Sequence, residues 1–229
     1  FQRKRDFVDQ IFTFDFHTES SFTFLCVSII IIWEKQKRKE GLGMEKRAYV
    51  FLADGFEEVE GLVQVDLLRR AGIDVKMVSV TGNKKVCGSH QIQVTADATF
   101  EQMALSLEQA DLLILPGGMP GTLGLKNHKG LETLLKKYYK KKKYIAAICA
   151  APGVFGAFGF LEGRKACIYP GMEDDLRGAE VSFEPVVKDS FIITGRGVGT
   201  AIPFALELIR VLCGKEKADQ IADSIVYER

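Results

Sequence analysis

Short apolar runs that stop abruptly in small or turn-forming residues recur along this chain, and most lead into a stretch with the periodicity of an α-helix. Ala48 to Leu52 ends in Ala53, Asp54 and Gly55. A helix then runs to Ala71, with acids in its first turn, Arg69 and Arg70 in its last and Gly72 just beyond. Val75 to Val80 is a second strand, closed by Thr81, Gly82 and Asn83, and Val86 to Ala96 reads as a hairpin or irregular strand pair. Leu112 to Leu115 is apolar throughout, the pattern of a strand buried on both faces of a parallel sheet, and it stops at Pro116, Gly117 and Gly118. Gly130 to Lys143 then reads as a basic-ended helix and Tyr144 to Ile148 as a strand. A helix over Ala150 to Gly159, strands near Ala166 to Ile168 and Phe191 to Thr194, and a helix over Ala201 to Cys213 complete the pattern. The last helix has apolar residues at 201, 204, 205, 208, 211 and 212, the spacing of one buried face. Strands alternating with helices predict an α/β fold: a doubly wound, mostly parallel sheet with helices on both faces. No internal repeat or low-complexity linker divides it, so a single domain is expected.

The first 43 residues do not share this order. They hold seven of the sixteen Phe and no glycine before Gly41. Phe22 to Trp33 is mostly apolar, but such a run falls well short of the roughly 20 residues that cross a bilayer. A signal peptide also fits poorly, because Asp6, Asp9 and Asp15 interrupt the start and no small-residue cleavage site follows Trp33. Lys39, Glu40 and Gly41 can be encoded by a purine-rich sequence of the bacterial ribosome-binding type, a short distance before Met44. Residues 1 to 43 are therefore expected to be a translated upstream leader or a disordered one, with the folded domain over 44 to 229. That domain carries equal numbers of basic and acidic residues in a chain whose net charge is +1. It offers no electrostatic footprint for nucleic acid or an anionic membrane. The basic run Lys136 to Lys143 reads as a complement to the negative end of its helix.

Function points to Cys149. The strand Tyr144 to Ile148 runs straight into it, a helix opens after it, and Ala147 and Ala151 flank it at two residues on either side. Such an elbow strains the backbone, exposes its central side chain and needs small neighbours so that strand and helix can approach. A thiol over the first turn of a helix is expected to have a depressed pKa. The alternative is a buried core cysteine, the commoner fate of a free thiol. In a doubly wound sheet the ligand sits beyond the carboxyl ends of the strands, so Asp54 to Glu60, Gly117 with Gly118, and Cys149 are to be read together. The amides of Gly117, Gly118 and Ala150 could hold a developing oxyanion, or Pro116 to Gly121 could be a tight turn and nothing more. Glu57, Glu58 and Glu60 could serve only the positive end of a helix. Alternatively, Glu60 could share a proton with the thiol.

Four stretches carry a resemblance beyond these general patterns: Phe51-Leu-Ala-Asp-Gly-Phe-Glu-Glu-Val-Glu60, Leu115-Pro-Gly-Gly-Met-Pro-Gly121, Ile145-Ala-Ala-Ile-Cys-Ala-Ala-Pro152 and Gly195-Arg-Gly-Val-Gly-Thr200. In this order, over residues 46 to 227, the chain resembles the DJ-1/ThiJ/PfpI superfamily, in its DJ-1-like deglycase and ThiJ branch. The resemblance implies a flavodoxin-like fold, Cys149 as the reactive nucleophile, Glu60 as its neighbouring acid, and Gly117, Gly118 and Ala150 as the backbone amides around the thiol. It also implies a homodimer and a cofactor-independent glyoxalase or deglycase acting on methylglyoxal, glyoxal or glycated protein. A stress protein that senses oxidation through the same cysteine is the other function class. Two features depart from relatives: Ala150 stands where the protease-like members place His, and Tyr169 where some members have His. The histidines His17, His90 and His128 fall at neither place. Five cysteines without framework spacing argue for a reducing, cytoplasmic setting, and no paired Cys or His metal signature is present. Cys87 could be regulatory or structural.

Overall fold

In the computed structural model, which describes residues 46–228, period-two alternation in the central strands sends successive side chains to opposite faces of one sheet. Strand β1 (Arg47–Leu52) runs through the middle. Helix α1 (Glu58–Arg70) carries the chain to β2 (Asp74–Ser79), which pairs with β1 in parallel from Arg47↔Asp74 to Leu52↔Ser79. Beyond it a hairpin forms from β3 (Lys85–Cys87) and β4 (Gln93–Thr95), and the short β5 (Ala98–Thr99) closes that edge of the main sheet.

The chain then crosses to the other side of β1. Strand β6 (Leu112–Leu115) pairs with it, Ala48↔Leu112 to Val50↔Ile114. After α2 (Gly121–Asn127) and α3 (Lys129–Lys140), β7 (Tyr144–Ile148) adds to β6. A six-residue helix α4 (Pro152–Ala157) follows. The strand β8 (Lys165–Ala166) and its partner β9 (Glu180–Val181) form a separate two-stranded ribbon. The expected strand near Ala166 to Ile168 thus lies outside the main sheet: only two residues pair, which is too short to extend a ladder. The outer edge is an antiparallel hairpin of β10 (Val186–Asp189) with β11 (Ile192–Gly195), and β11 pairs in parallel with β7. Helices α5 (Ala201–Cys213) and α6 (Lys215–Ser224) end the described chain. The main sheet has the order β10-β11-β7-β6-β1-β2-β5. All neighbours are parallel save the β10–β11 pair.

Tyr49, Phe51, Leu113, Leu115, Ile145 and Ala147 point to one face, where they pack with residues of α2, α3 and α4 such as Leu125, Leu131, Leu135 and Phe155. Ala48, Val50, Leu52, Leu112, Ile114, Ala146 and Ile148 point to the other, against α1, α5 and α6 through Leu68, Phe204, Leu208 and Ile221. Each fully buried Leu, Ile or Phe contributes about 1.5–3 kcal/mol of transfer free energy. This explains why four-residue β6 needs no polar face. The fold is the doubly wound α/β sheet that the strand and helix pattern predicts.

Strand order reverses between β1 and β6, because the chain builds outward from β1 in one direction and then in the other. In such sheets a crevice opens at this reversal, outside the carboxyl ends of the strands. The segments after β1, β6 and β7 all meet there.

Candidate active site

The elbow after β7 holds Cys149 at φ 62, a left-handed conformation that costs a non-glycine residue on the order of 1 kcal/mol or more. Its neighbours hold it there. The Cys149 N–H donates to the Gly195 carbonyl at 3.0 Å, extending the β7–β11 ladder by one bond, and the Tyr169 N–H donates to the Cys149 carbonyl at 2.9 Å. Ala151 N–H closes the turn onto the Ile148 carbonyl at 3.1 Å. With both backbone groups fixed, the side chain stands partly exposed at the crevice.

Helix α1 supplies the acid. Glu57 caps the helix by accepting from the Glu60 N–H at 2.6 Å. Capping is therefore the work of Glu57, and Glu60 turns inward, fully buried. Its Oε2 accepts from the Gly117 N–H at 2.9 Å. A methyl group on Gly117 would lie 2.6 Å from Cys149 Cβ and 2.7 Å from Glu60 Oε2. Only glycine leaves room here, and the thiol-bearing carbon and that carboxyl oxygen are close neighbours across it. Gly118 has φ 88, and a Cβ there would sit 2.3 Å from the Glu57 nitrogen. The loops after β1 and β6 are also joined by the Glu57 N–H to Gly117 carbonyl bond at 2.9 Å and the Gly121 N–H to Gly55 carbonyl bond at 3.2 Å. The turn from Pro116 to Gly121 is tight, and it also brings acid and thiol together.

The electrostatics differ from the depressed thiol pKa that the elbow suggests. Burial, then the charge and hydrogen bond of Glu60, push the Cys149 thiol up to about 12, against the pull of the Ala150 and Gly118 amides. Helix α4 is short and begins three residues after the sulfur-bearing residue, so its dipole does not outweigh a buried carboxylate next door. Burial pushes Glu60 up to about 7, with the charge of Glu57 adding to it and hydrogen bonds from Cys149 and Gly117 opposing. The two groups are coupled, and the values belong to the pair: one proton leaves near pH 7 and the second only near 12. From about pH 7 upward, one negative charge is shared between a carboxyl and a thiol.

Of the amides expected around the thiol, Gly118 and Ala150 act on the sulfur. Gly117 is committed to the acid. The histidines lie elsewhere. His90 Nδ1 pairs with Glu58 Oε2 at 2.8 Å, and Glu58 also accepts from the His90 N–H at 2.7 Å, which ties the β3–β4 turn to the start of α1. His128 Nδ1 caps α3 by accepting from Leu131 N–H at 3.0 Å, and its ring lies 4.6 Å from Phe100. His17 and the rest of residues 1 to 43, with their expected leader, fall outside the described residues. Glu57, Glu58 and His90 bring potential ligand atoms within 4.8 Å of one another. Glu57 and Glu58 are already engaged as a helix cap and an ion pair. Cys167 is buried against Thr194, Cys213 is exposed and Cys87 half-buried on β3. Lys137 and Lys141 in the basic run both pair with Glu108, at 2.7 and 3.0 Å. Among the described residues no helix is long and apolar enough to cross a membrane.

Two contributors were not legible beforehand: the backbone of Gly195 and that of Tyr169, which clamp Cys149. Hydrogen bonding by main-chain atoms leaves no trace in residue identity, although Gly195 lies in one of the matching stretches.

The sequence of residues 46–211 matches the DJ-1/PfpI family. The Drosophila melanogaster protein dj-1beta is 37% identical over 185 residues, 80% of this chain and 98% of that protein. Protein DJ-1 homolog B of Arabidopsis thaliana is 39% identical over 183 residues, and the matched region spans 79% of this chain but only 41% of that longer protein. A Pyrococcus abyssi protein named a deglycase is 30% identical over 72% of this chain and 99% of its own length. Among solved structures, oxidized Toxoplasma gondii DJ-1 superposes with a TM-score of 0.77 at 35% identity, covering 80% of this chain and all of that one. Drosophila DJ-1beta superposes with a TM-score of 0.76 at 36% identity, covering 81% and 100%.

Proposed function

The chain belongs to the DJ-1/PfpI family, and from that premise we propose that it is a cofactor-independent glyoxalase or deglycase with Cys149 as nucleophile and Glu60 as its acid and base. The observation that carries this reading is the pairing of a strained, partly exposed thiol with a buried carboxyl whose pKa is pushed up to about 7. That value is near the optimum for a group that must both take and give a proton at neutral pH.

With methylglyoxal the proposed steps are these. The proton passes from the Cys149 sulfur to Glu60, and the thiolate adds to the aldehyde carbon. The Gly118 and Ala150 amides, which act on the sulfur, would also stabilise charge on the former carbonyl oxygen. Glu60 returns its proton to the oxyanion to complete the hemithioacetal, then as carboxylate takes the carbon-bound proton and delivers it to the adjacent carbon while the hydroxyl proton passes to the neighbouring oxygen, giving a thioester of lactate. Water hydrolyses the thioester, releasing lactate and restoring the thiol, so that the net change is addition of one water. A glycated protein enters the same sequence at the adduct carbon and leaves as the free amine. The support is the acid–thiol pair together with the relative named a deglycase. Turnover of methylglyoxal without added thiol, lost in Cys149→Ser, is the expected result. Equal turnover by that variant would refute the assignment.

The same pair also suits the second reading, a redox sensor, for which the relevant observation is that a similar solved protein is described as oxidized. Two equivalents of hydrogen peroxide would take the Cys149 thiolate through sulfenate to sulfinate, releasing water at each step, with Glu60 donating a hydrogen bond to the product. Loss of turnover on peroxide treatment in step with a gain of two oxygens in mass would join the two readings. We also propose a homodimer in the cytoplasm, since an isologous pair is the commonest oligomer of a soluble chain.

A further inference from the structure

Gln64 lies one turn after Glu60 on α1, and both side chains are fully buried. Residues four apart on a helix stand on the same face with Cβ atoms roughly 5–6 Å apart. The Gln64 amide is oriented by a hydrogen bond from Nε2 to the Ala201 carbonyl at the start of α5, 3.1 Å long. Because a carbonyl accepts only, this bond identifies the nitrogen and leaves Oε1 as the free end. That oxygen is buried and has no hydrogen-bond partner. Glu60 presents a matching situation. Its Oε2 accepts from Gly117, while Oε1 is buried and also without a hydrogen-bond partner.

Two unpartnered oxygens on one buried helix face are each costly as they stand, and as acceptors they cannot satisfy one another. A proton changes this. A neutral carboxyl has one donor and one acceptor. Gly117 already serves the acceptor, and an O–H at Oε1 would serve the orphan on Gln64.

We propose that, while Cys149 is reduced, Gln64 is a positioning residue for the acid–thiol pair: its Oε1 receives the Glu60 Oε1–H, directly or across one bridging water, and so holds Glu60 in the neutral form that leaves the charge on the Cys149 sulfur. Cys149 loses one proton and Glu60 gains one, so the pair keeps a single negative charge. The titratable groups that act on Glu60 are Cys149 from the elbow and Glu57 from the cap of its own helix. From α5 the neighbour of Gln64 is the uncharged Ala201 carbonyl. This inference rests on the Cys149–Glu60 pair and not on the identity of the substrate.

The test uses alkylation of Cys149 by iodoacetamide in the full chain, which needs no turnover and therefore stands apart from failure of the glyoxalase reading. Gln64→Met keeps the volume and removes the acceptor. The thiolate share of the singly charged pair is then expected to fall about tenfold, seen as a tenfold slower plateau that begins at lower pH, since Glu60 ionises more readily. In the infrared, a protonated-carboxyl band that Glu60→Gln abolishes should move to higher frequency in Gln64→Met. In a Glu60→Gln background, Gln64→Met should leave the alkylation profile unchanged. A purely structural strut predicts the opposite pattern: lower melting temperature, with the wild-type alkylation profile and infrared band retained. That result, or equal slowing in the Glu60→Gln background, would overturn the proposal. Should Gln64→Met fold poorly, Gln64→Leu read by the same infrared band decides in its place.

Discussion

The Gly117 N–H donates to Glu60 Oε2 at 2.9 Å, and the space where a Gly117 side chain would begin is bounded by that same oxygen and by Cys149 Cβ. One glycine thus fixes the acid with its amide and admits the thiol with its missing side chain. Acid, thiol and glycine come from three segments, after β1, β6 and β7, which meet because those strands are neighbours in the sheet.

Gly117→Ala should accordingly cost more at the site than in the fold. The added methyl must displace either the cysteine or the carboxylate, contacts of 2.6 and 2.7 Å that no side chain tolerates. Loss of methylglyoxal turnover on the order of a hundredfold is expected, with about 1–3 kcal/mol lost from stability in a denaturant titration. Near-wild-type turnover would mean the pair is not held across this glycine.

The coupled titration has its own signature. Iodoacetamide should modify Cys149 with an apparent midpoint near 7, where the pair loses its first proton, and with a second step only toward 12. In Glu60→Gln the two steps should merge into one. Cys213 is exposed, with burial of its sulfur pushing its pKa up, and should label only at alkaline pH, while buried Cys167 should resist labelling. Peptide mapping after alkylation at pH 7.5 would show whether Cys149 is the modified site.

Glu60 also makes a prediction about stability that runs against the usual behaviour of carboxylates. Its pKa in the folded protein, about 7, is above the ordinary 4.5, so between those values the folded state keeps a proton that the unfolded chain has released. Stability should therefore fall as pH rises through that window, by up to about 3 kcal/mol for this fully buried group. Glu60→Gln removes the effect and should be more stable than wild type at pH 8 while being less active. Parallel stability curves for the two proteins from pH 4.5 to 8 would contradict this account.

Glu58 behaves in the opposite sense. Burial alone would raise its pKa, but the hydrogen bonds from His90 and from the backbone of His90 and Ile92 outweigh it and hold the carboxyl down to about 2. Its contribution is present above pH 4.5 and lost as the pH falls toward 2. Replacing it in Glu58→Gln should lower stability above pH 4.5, with the difference from wild type vanishing as the pH falls toward 2, and should loosen the β3–β4 turn. Hydrogen exchange at the His90 amide, which Glu58 accepts at 2.7 Å, would report it.

Much of this protein was determined by the sequence alone. Continuous apolar runs such as Leu112 to Leu115 can be satisfied only by burial on both faces, and residues 201 to 212 carry a stripe that closes one of those faces, so a doubly wound sheet was legible without coordinates. The elbow at Cys149 and the glycines at 117 and 118 were also visible, because small residues around a reactive side chain are a constraint written in residue type. Tertiary structure decided the rest. A strand near 166 joined a side ribbon because pairing depends on partners far along the chain. The thiol, expected to be acidic, is instead coupled to Glu60, because desolvation and a neighbouring charge are properties of the folded interior. The role of Gly117 was settled by the acid that its amide faces. Gln64, polar on a buried face, could be recognised as unusual only once its helix was seen to turn both it and Glu60 inward.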